Sequence, residues 1–448
     1  MLALVEAAIL LLSAYIGISL RQAAVSGAEA FASFHFPQPL LFGVVVLVIM
    51  FSLGLYNAQF ASRMQDILIR LLVCLFVSFI IFSVTFYVIP LLEIWRSALG
   101  ISMALAFAGI FLVRYVFLHI IDISLLRRRI LVIGVGDHAA EIESLQWVSR
   151  IQAYDCVGYV EVQGEEPKVP ADKIFSAPNS LYDLVERNNV DEIVVAPQDR
   201  RGRIPMSSLL ECRVNGVAVS DFVRFCERET GRINLDALHP SWFVYSDTIP
   251  GSRLQQSIKR LFDVVASVVF LILCMPIFIA TAIAIRFDSP GPIFYLQERM
   301  GHRGETFRII KFRSMRIDAE NDGVPKWADK NDSRVTPVGA IIRKFRIDEM
   351  PQVINVLKGE MSFVGPRPER PYFVTQLAQS IPFYGNRHIV KPGITGWAQL
   401  NYSYGASSED ARRKLEYELY YIKHYSLLLD IMIILQTLRV VFWSHGVR

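Results

Sequence analysis

The segment IKRLFDVVASVVFLILCMPIFIATAIAIRFD, residues 258–288, is the part of the sequence that says most about the fold. Its mostly apolar run, Val264–Ile285, is long enough to cross a membrane as a helix. Lys259 and Arg260 precede this run, and Arg286 and a further series of arginines follow it. Both flanks are therefore basic, whereas a spanning helix normally has its basic flank on the cytoplasmic side alone.

Pro276 stands near the middle of the same run. A proline inside a helix removes a backbone hydrogen bond and bends the axis. A helix that enters one leaflet, breaks at Pro276 and returns to the same face accounts for the proline and for both basic flanks. We therefore predict a re-entrant membrane helix over residues 258–287 in preference to a kinked spanning helix.

The composition also places part of the chain in lipid. Of the 448 residues 53% are hydrophobic, and the mean hydropathy of +0.36 is too high for an ordinary soluble protein. The net charge of +4 is small for this length and gives no indication of nucleic-acid binding. The five cysteines are scattered without CxxC spacing, which favours a reduced, cytosol-facing protein over a disulfide framework or a zinc site.

The first 120 residues contain apolar runs of the length that a spanning helix needs. We predict an N-terminal four-helix transmembrane bundle over residues 1–120 from the runs Leu2–Leu20, Leu40–Tyr56, Leu71–Leu92 and Ala98–Val113. Basic residues before the third run and after the fourth predict that both ends of the bundle are cytoplasmic. Glu6 in the first run is expected to reach the membrane interface, with a proton-relay role as the alternative.

A pattern of alternating strands and helices follows the bundle. RILVIGVGDHAAEI, residues 129–142, places Gly134, Gly136 and Ala139 between a short strand and a helix, as in GxGxxA. Further strands are expected at Val157–Glu161, Glu192–Ala196 and Val217–Ser220. We predict a Rossmann-like domain with a parallel sheet over residues 127–235 and a linker over 236–257. The two glycines could admit a nucleotide pyrophosphate, but a scaffold or dimerisation module is the favoured interpretation.

Two adjacent carboxylates, Asp348 and Glu349, lie among basic residues in the last third of the chain. Arginine forks suit phosphate oxygens, and we predict phosphate contacts from Arg343, Arg346, Arg367, Arg387 and Lys391. Pro351 predicts a helix start with Asp348 as its N-cap. Asp348 would then be a nucleophile toward phosphate, and Glu349 a ligand for Mg²⁺. The alternative is an N-cap in a solvated salt-bridge cluster, which the spacing alone favours.

From Ile258 to the C-terminus the sequence resembles the bacterial sugar transferase domain of the polyprenyl-phosphate hexose-1-phosphate transferases, the monotopic phosphoglycosyl transferases. The resemblance rests on KRLFD, SPGPIFYLQERMG, GETFRIIKFRSMRIDAE, TPVGAIIRKFRIDEMPQVINVLKGEMSFVGPRP and KPGITGWAQLNY, in that order. With the bundle and the Rossmann-like domain, the chain resembles the long form of this family. The resemblance implies a mostly helical, monotopic catalytic domain over residues 258–448, catalytic Asp348 and Glu349, and a requirement for Mg²⁺.

The resemblance also implies a reaction. Asp348 would attack the β-phosphate of a UDP-sugar and release UMP, and polyprenyl phosphate would then take the sugar phosphate from the aspartate. Arg367 is expected to bind phosphate or nucleotide, or else to tie a turn. Lys311 and Arg313 would bind phosphate or lipid headgroups, or pair with nearby acids. We expect a homodimer at the cytoplasmic face of the bacterial inner membrane that starts polysaccharide synthesis; the sequence does not identify the sugar.

Two other classes share parts of this organisation. A membrane nucleotide-sugar dehydratase needs a Tyr-xxx-Lys pair, and none of the 17 tyrosines has a lysine four residues later. A non-catalytic scaffold of a polysaccharide assembly complex would be expected to lack the carboxylate pair, and both carboxylates are present. The transferase is therefore the favoured interpretation.

Overall fold

The computed structural model describes residues 2–26, 37–53, 55–56, 64–88, 94–120, 127–148, 154–176, 180–197, 205–236, 253–316, 334–402, 405 and 407–442. The chain divides into two compact units, residues 1–225 and 226–448. The predicted linker at 236–257 lies outside the described residues from 237 to 252.

Four apolar helices begin the first unit: α1 (Leu2–Ser26), α2 (Pro37–Ser52), α3 (Met64–Val88) and α4 (Arg96–Ile120). α1 packs against α2 and α4, and α3 also packs against α2 and α4. α1, α3 and α4 are long and apolar enough to cross a membrane. α2 has 16 residues, fewer than the about 20 that a span normally needs. The apolar helices are confirmed, and a bundle of four spanning helices stays a prediction.

Glu6 is not the exposed, interface-seeking group that the sequence predicts. Its side chain is fully buried, and Arg114 of α4 contacts both carboxylate oxygens, at 2.6 and 3.0 Å. Arg114 also donates a hydrogen bond of 2.8 Å to the carbonyl of Leu55. The partner on α4 is 108 residues away in sequence, which is why the local pattern around Glu6 gives no sign of this ion pair.

The other described residues of the first unit form the predicted parallel sheet and the helices that accompany it. Its strands are β1 (Arg128–Ile133), β2 (Tyr154–Val160), β3 (Ile174–Phe175), β4 (Glu192–Val195) and β5 (Ala218–Asp221). All pairings are parallel, in the order β3-β2-β1-β4-β5. The helices are α5 (Asp137–Val148), α6 (Leu181–Arg187), α7 (Met206–Val214) and α8 (Phe222–Thr230), of which α8 continues into the second unit. Buried aliphatic residues such as Leu131 and Ile193 form its core.

The second unit is mostly helical with two short sheets. Its helices are α9 (Arg253–Asp288), α10 (Pro337–Lys344), α11 (Gln352–Lys358), α12 (Pro371–Ser380), α13 (Trp397–Asn401), α14 (Ser408–Lys423) and α15 (Leu427–Phe442). Strands β6 (Phe294–Met300) and β7 (Thr306–Phe312) form an antiparallel hairpin, and β8 (Ser362–Val364) pairs in parallel with β9 (Gly393–Thr395).

Helix α9 contacts the rest of the second unit on both sides of Pro276, a residue inside the helix. Near its start, the Lys259 ammonium lies 2.7 Å from Asp430 of α15. The ring of Phe270 then lies 6.3 Å from that of Phe363, in β8. Beyond the proline, the ring of Phe278 lies 5.4 Å from that of Phe312, in β7.

The second unit begins at Cys226, before residue 235, where the sequence predicts that the Rossmann-like domain ends. Ile233 and Leu235 are buried in its main hydrophobic core, which also contains Leu415 and Leu419 of α14. The backbone N–H of Ile233 donates to the carbonyl of Glu416 at 3.1 Å. Two apolar side chains in a short, otherwise polar segment were not sufficient to reveal that this segment packs on a helix far along the chain.

Candidate active site

Asp348 and Glu349 share one 3-10 turn, Ile347–Glu349, which follows Arg346 in the left-handed conformation (φ 56°). Successive side chains of a 3-10 turn differ in direction by about 120°. Accordingly, Glu349 is buried and Asp348 is only half-buried. The prediction that Asp348 caps a helix is wrong, because Pro351 holds the N-cap position of α11 and no side chain caps it.

Three cations contact the carboxylate of Glu349. Lys311 Nζ lies 2.9 Å from Oε1, and the Arg367 guanidinium donates to both oxygens. Arg346 Nη1 lies 3.6 Å from Oε2. Burial alone would raise the pKa of Glu349, but Arg367 and Lys311 bring that pKa well below its usual value. Glu349 is therefore ionised and joins β7, which carries Lys311, to the segment after β8, which carries Arg367.

The Asp348 carboxylate has no hydrogen-bond partner among the described residues. Burial, and secondly the charge on Glu349, raise the pKa of Asp348 to about 6. Lys311, Arg343 and Arg367 act in the opposite direction and limit that rise. The pKa of Asp348 thus lies below neutral pH, and in the described parts of the chain its oxygens accept no hydrogen bond. A carboxylate in this state is suited to nucleophilic attack.

The predicted Mg²⁺ ligand, Glu349, does not fit that role. Both of its oxygens are engaged by cations, and a dication bound there would lie against Lys311 and Arg367. The described residues also contain no group of three or more His, Cys, Asp or Glu side chains that could hold a metal ion. Within the described residues, the donor set around Glu349 is thus too small and too cationic for a preformed metal site.

Arg313 and Lys391 are predicted phosphate ligands that lie away from the carboxylate pair. The buried Arg313 guanidinium donates to the carbonyls of Ser289 and Pro290, at 2.7 and 2.9 Å. Lys391 places its ammonium beside Gly359, at the C-terminal end of α11, whereas the carboxylate pair precedes the N-terminal end. Arg313 holds a loop, and Lys391 lies at the C-terminal end of a helix, where a positive charge is favourable.

Arg387 is also separated from the carboxylate pair, although it supports a residue that contacts it. Its guanidinium is 4% exposed and lies 2.7 Å from the buried carboxylate of Glu418 in α14. It also donates to the backbone carbonyl of Arg367 at 2.8 Å and to the hydroxyl of Tyr384 at 2.7 Å. These buried partners engage the Arg387 guanidinium, which fixes the backbone that carries Arg367, and they do not favour the phosphate contact, which stays a prediction.

Asn355 is a supporting residue that the sequence reading missed. Its amide is fully buried and bonds the backbone of β7 on both sides, accepting from Ile310 N at 3.0 Å and donating to Arg308 O at 2.8 Å. Asn355 thereby fixes α11 against the strand that carries Lys311. The only signal in the sequence was a single polar residue inside the apolar run VINVL.

In the glycine loop of the first unit, backbone amides bind the side-chain carboxylate of Glu165. Gly134 has φ +118°, and the next two amides, Val135 N and Gly136 N, donate to Glu165 Oε2 at 2.9 and 3.2 Å. Such amides are the groups that would bind a pyrophosphate in a nucleotide site. Because Glu165 already uses them, the arrangement supports the scaffold interpretation of this domain.

Comparison with known proteins links this site to one family. Residues 254–444, which include every residue around the carboxylate pair, match the family described as bacterial sugar transferase.

Three curated relatives show how far the similarity extends. The chain is 45% identical over 240 residues, 54% of its length, to a UDP-N-acetylgalactosamine-undecaprenyl-phosphate N-acetylgalactosaminephosphotransferase of Aeromonas hydrophila, covering 56% of that protein. It is 31% identical over 331 residues, 72% of its length, to an undecaprenyl-phosphate glucose phosphotransferase of Komagataeibacter xylinus, covering 60%. It is 38% identical over 189 residues, 40% of its length, to the exopolysaccharide production protein PSS of Rhizobium leguminosarum bv. phaseoli, covering 92%. The chain thus spans little more than half the length of the first two relatives.

Proposed function

The chain belongs to the bacterial sugar transferase family, and we propose that it transfers a sugar 1-phosphate from a UDP-sugar to undecaprenyl phosphate, releasing UMP. The product, a polyprenyl diphospho-sugar, would start exopolysaccharide, capsule or O-antigen synthesis. Relatives named for glucose and for N-acetylgalactosamine support the reaction class without identifying the sugar. The homodimer and the Mg²⁺ requirement stay predictions from the resemblance.

The observation that carries the proposal is the position of the Asp348 carboxylate, which is surrounded by cations and has no hydrogen-bond partner in the described parts of the chain. In the first step an Asp348 oxygen bonds to the β-phosphorus, the bond from that phosphorus to the bridging oxygen breaks, and UMP leaves. In the second step an oxygen of undecaprenyl phosphate bonds to the same phosphorus and the aspartate is released. Each step exchanges one P–O bond for another, so no external oxidant or reductant is needed.

The surrounding cations have a defined task in both steps. The diphosphate is anionic, and the charge on its leaving and attacking oxygens changes as the bonds form and break. Lys311, Arg343 and Arg367 provide fixed positive charge at this place before the substrate arrives, which is the usual form of electrostatic stabilisation by an enzyme. Arginine forks can in addition bind two phosphate oxygens at once.

A burst experiment tests the function and the covalent intermediate together. The full-length protein is incubated with a panel of UDP-sugars in detergent, with and without undecaprenyl phosphate. We expect one equivalent of UMP per protein without the lipid and continuous release with it. If no UDP-sugar yields UMP under either condition, the function is wrong. If UMP release requires the lipid even in the first turnover, this result contradicts the aspartyl intermediate.

The pH dependence of kcat/KM follows from the raised pKa of Asp348. The attacking group must be ionised, so the rate is expected to be level above about pH 6 and to fall tenfold per pH unit below it. Arg343→Met removes a cation that lowers this pKa, and should therefore move the acid limb to higher pH. Initial rates between pH 5 and 8 measure both effects. An acid limb that stays in place in this variant contradicts the assignment of the titrating group to Asp348.

We propose that α9 is re-entrant and that the second unit faces the cytoplasm, where UDP-sugars are found. Phe270 and Phe278 of α9 each contact another ring of the second unit. Only seven residues, or about 10 Å along the helix axis, lie between these two positions. The hydrocarbon core of a bilayer is about 30 Å thick. A straight spanning helix would therefore carry one of these contacts into lipid or across the membrane, whereas a bend at Pro276 keeps both on one side.

Cysteine labelling from each side of the membrane tests this topology. Ser257 and Glu298 are exposed positions on opposite sides of the apolar run, and Cys274 is replaced first because it is the least buried native cysteine. We expect Ser257→Cys and Glu298→Cys to react with an impermeant maleimide from the cytoplasmic side in active protein. Labelling of the two positions from opposite sides would contradict the re-entrant helix.

A further inference from the structure

Glu349 is the point at which three separate segments meet. Its carboxylate contacts Lys311 from β7, Arg367 from the segment after β8, and Arg346 from its own turn. Asn355 fixes the same strand to α11 through the backbone on either side of Ile309. The buried carboxylate therefore determines where these cations stand.

The local charge is unfavourable for a metal ion at Glu349. Among the described residues, the cationic side chains that act on the two carboxylates outnumber them by two: Lys311, Arg343, Arg346 and Arg367. Mg²⁺ binds carboxylate oxygens at about 2.0–2.1 Å and keeps a rigid octahedral shell. Such a shell at Oε1 would require that the Lys311 ammonium, 2.9 Å from this oxygen, move away. The same excess of positive charge attracts a diphosphate.

Lys311 and Arg367 can bind Glu349 and a phosphate at the same time. An ammonium has three N–H donors and a guanidinium has five, so contacts with one carboxylate do not use all the donors of either group. A carboxylate that holds both groups in place removes the entropy cost of ordering them when substrate binds, which is the benefit of preorganisation.

We propose, on the basis of the proposed function, that Glu349 is a positioning residue for the diphosphate-binding cations Lys311 and Arg367, and that Mg²⁺ enters the site with the nucleotide sugar. Removing the Glu349 charge then weakens binding of the nucleotide sugar through the misplaced cations. The requirement for metal is set by the diphosphate and stays close to that of the wild type.

Mn²⁺ binding to the wild-type, full-length protein gives a readout that does not depend on activity. Electron paramagnetic resonance is recorded with Mn²⁺ alone and with Mn²⁺ plus UDP. We expect no sub-millimolar binding of Mn²⁺ to the protein alone and a protein-bound Mn²⁺ signal when UDP is present. Sub-millimolar binding without nucleotide overturns the proposal. Because this measurement needs no turnover, it remains decisive even if the burst experiment shows that the proposed function is wrong.

Kinetics of Glu349→Gln, with Lys311→Met as the matched variant, test the positioning role. Both should raise the KM for the UDP-sugar at least tenfold, and the double variant should be little worse than either single one, because the two residues act as a unit. At saturating UDP-sugar, the Mg²⁺ concentration for half-maximal rate should stay within twofold of wild type in Glu349→Gln. A tenfold or larger rise in that Mg²⁺ concentration overturns the proposal, even if the KM for the UDP-sugar rises as expected. An unchanged KM for the UDP-sugar in Glu349→Gln also overturns it.

Discussion

Asp348→Asn is expected to abolish turnover, with a loss on the order of 10⁴-fold or more, as found when other covalent nucleophiles are removed. The amide does not provide the anionic oxygen that attacks phosphorus. The change is nearly isosteric at a half-buried position with no hydrogen-bond partner in the described residues, so the fold should persist. Intact-protein mass spectrometry after incubation with a UDP-sugar alone should show a sugar-phosphate adduct on the wild type and none on this variant.

Glu298→Gln is the matched control for Asp348→Asn. It also converts a carboxylate to an amide in the second unit, but at an exposed position of β6. It should keep wild-type turnover and the adduct. Substantial turnover in Asp348→Asn, or an adduct of unchanged yield, would show that another group attacks the phosphorus.

Arg387→Met is expected to reduce the stability of the second unit by about 3–5 kcal/mol, the usual cost of leaving one member of a buried ion pair alone. Its partner Glu418 is 5% exposed and cannot be hydrated without disruption of the core. Thermal denaturation of the detergent-solubilised protein should show a lower Tm for this variant. Adding Glu418→Gln should recover part of the loss, because the double variant no longer buries an unpaired charge.

Arg412→Met provides the comparison for an exposed ion pair. Arg412 of α14 contacts Asp236, whose side chain is mostly in solvent. Its replacement should cost less than about 1 kcal/mol. If Arg387→Met instead keeps the wild-type Tm and raises the KM for the UDP-sugar, then Arg387 binds substrate and the structural assignment is wrong.

The features that could be predicted from the sequence are those with a local signal. Strands β1, β2, β4 and β5 lie within a few residues of their predicted positions, because short apolar runs alternate with helical segments. The apolar run around Pro276 likewise forms a helix, and its re-entrant course stays a prediction. Asp348 and Glu349 were recognised through the family motifs, since their spacing alone favoured an ordinary salt-bridge cluster. Glu349 does form such a cluster, with the cations around it.

The direction of a charged side chain could not be predicted. Arg313 and Lys311 are two residues apart in one motif, yet only the Lys311 side chain reaches Glu349. Arg387 depends on Glu418, 31 residues later, and Glu6 on Arg114, 108 residues later. Each of these outcomes depends on which distant element packs against the residue, and residue type and spacing do not contain that information.

The position of Ile233 and Leu235 determines where this chain can be divided for laboratory work. A recombinant fragment that begins at residue 254, where the family match begins, would lack both side chains from the core that holds Leu415 and Leu419. Burial of each such aliphatic side chain contributes about 1.5–3 kcal/mol, and its loss would leave an apolar groove open to water and to aggregation. A folded, active fragment should therefore start at Cys226 or earlier, well before the boundary that sequence similarity suggests.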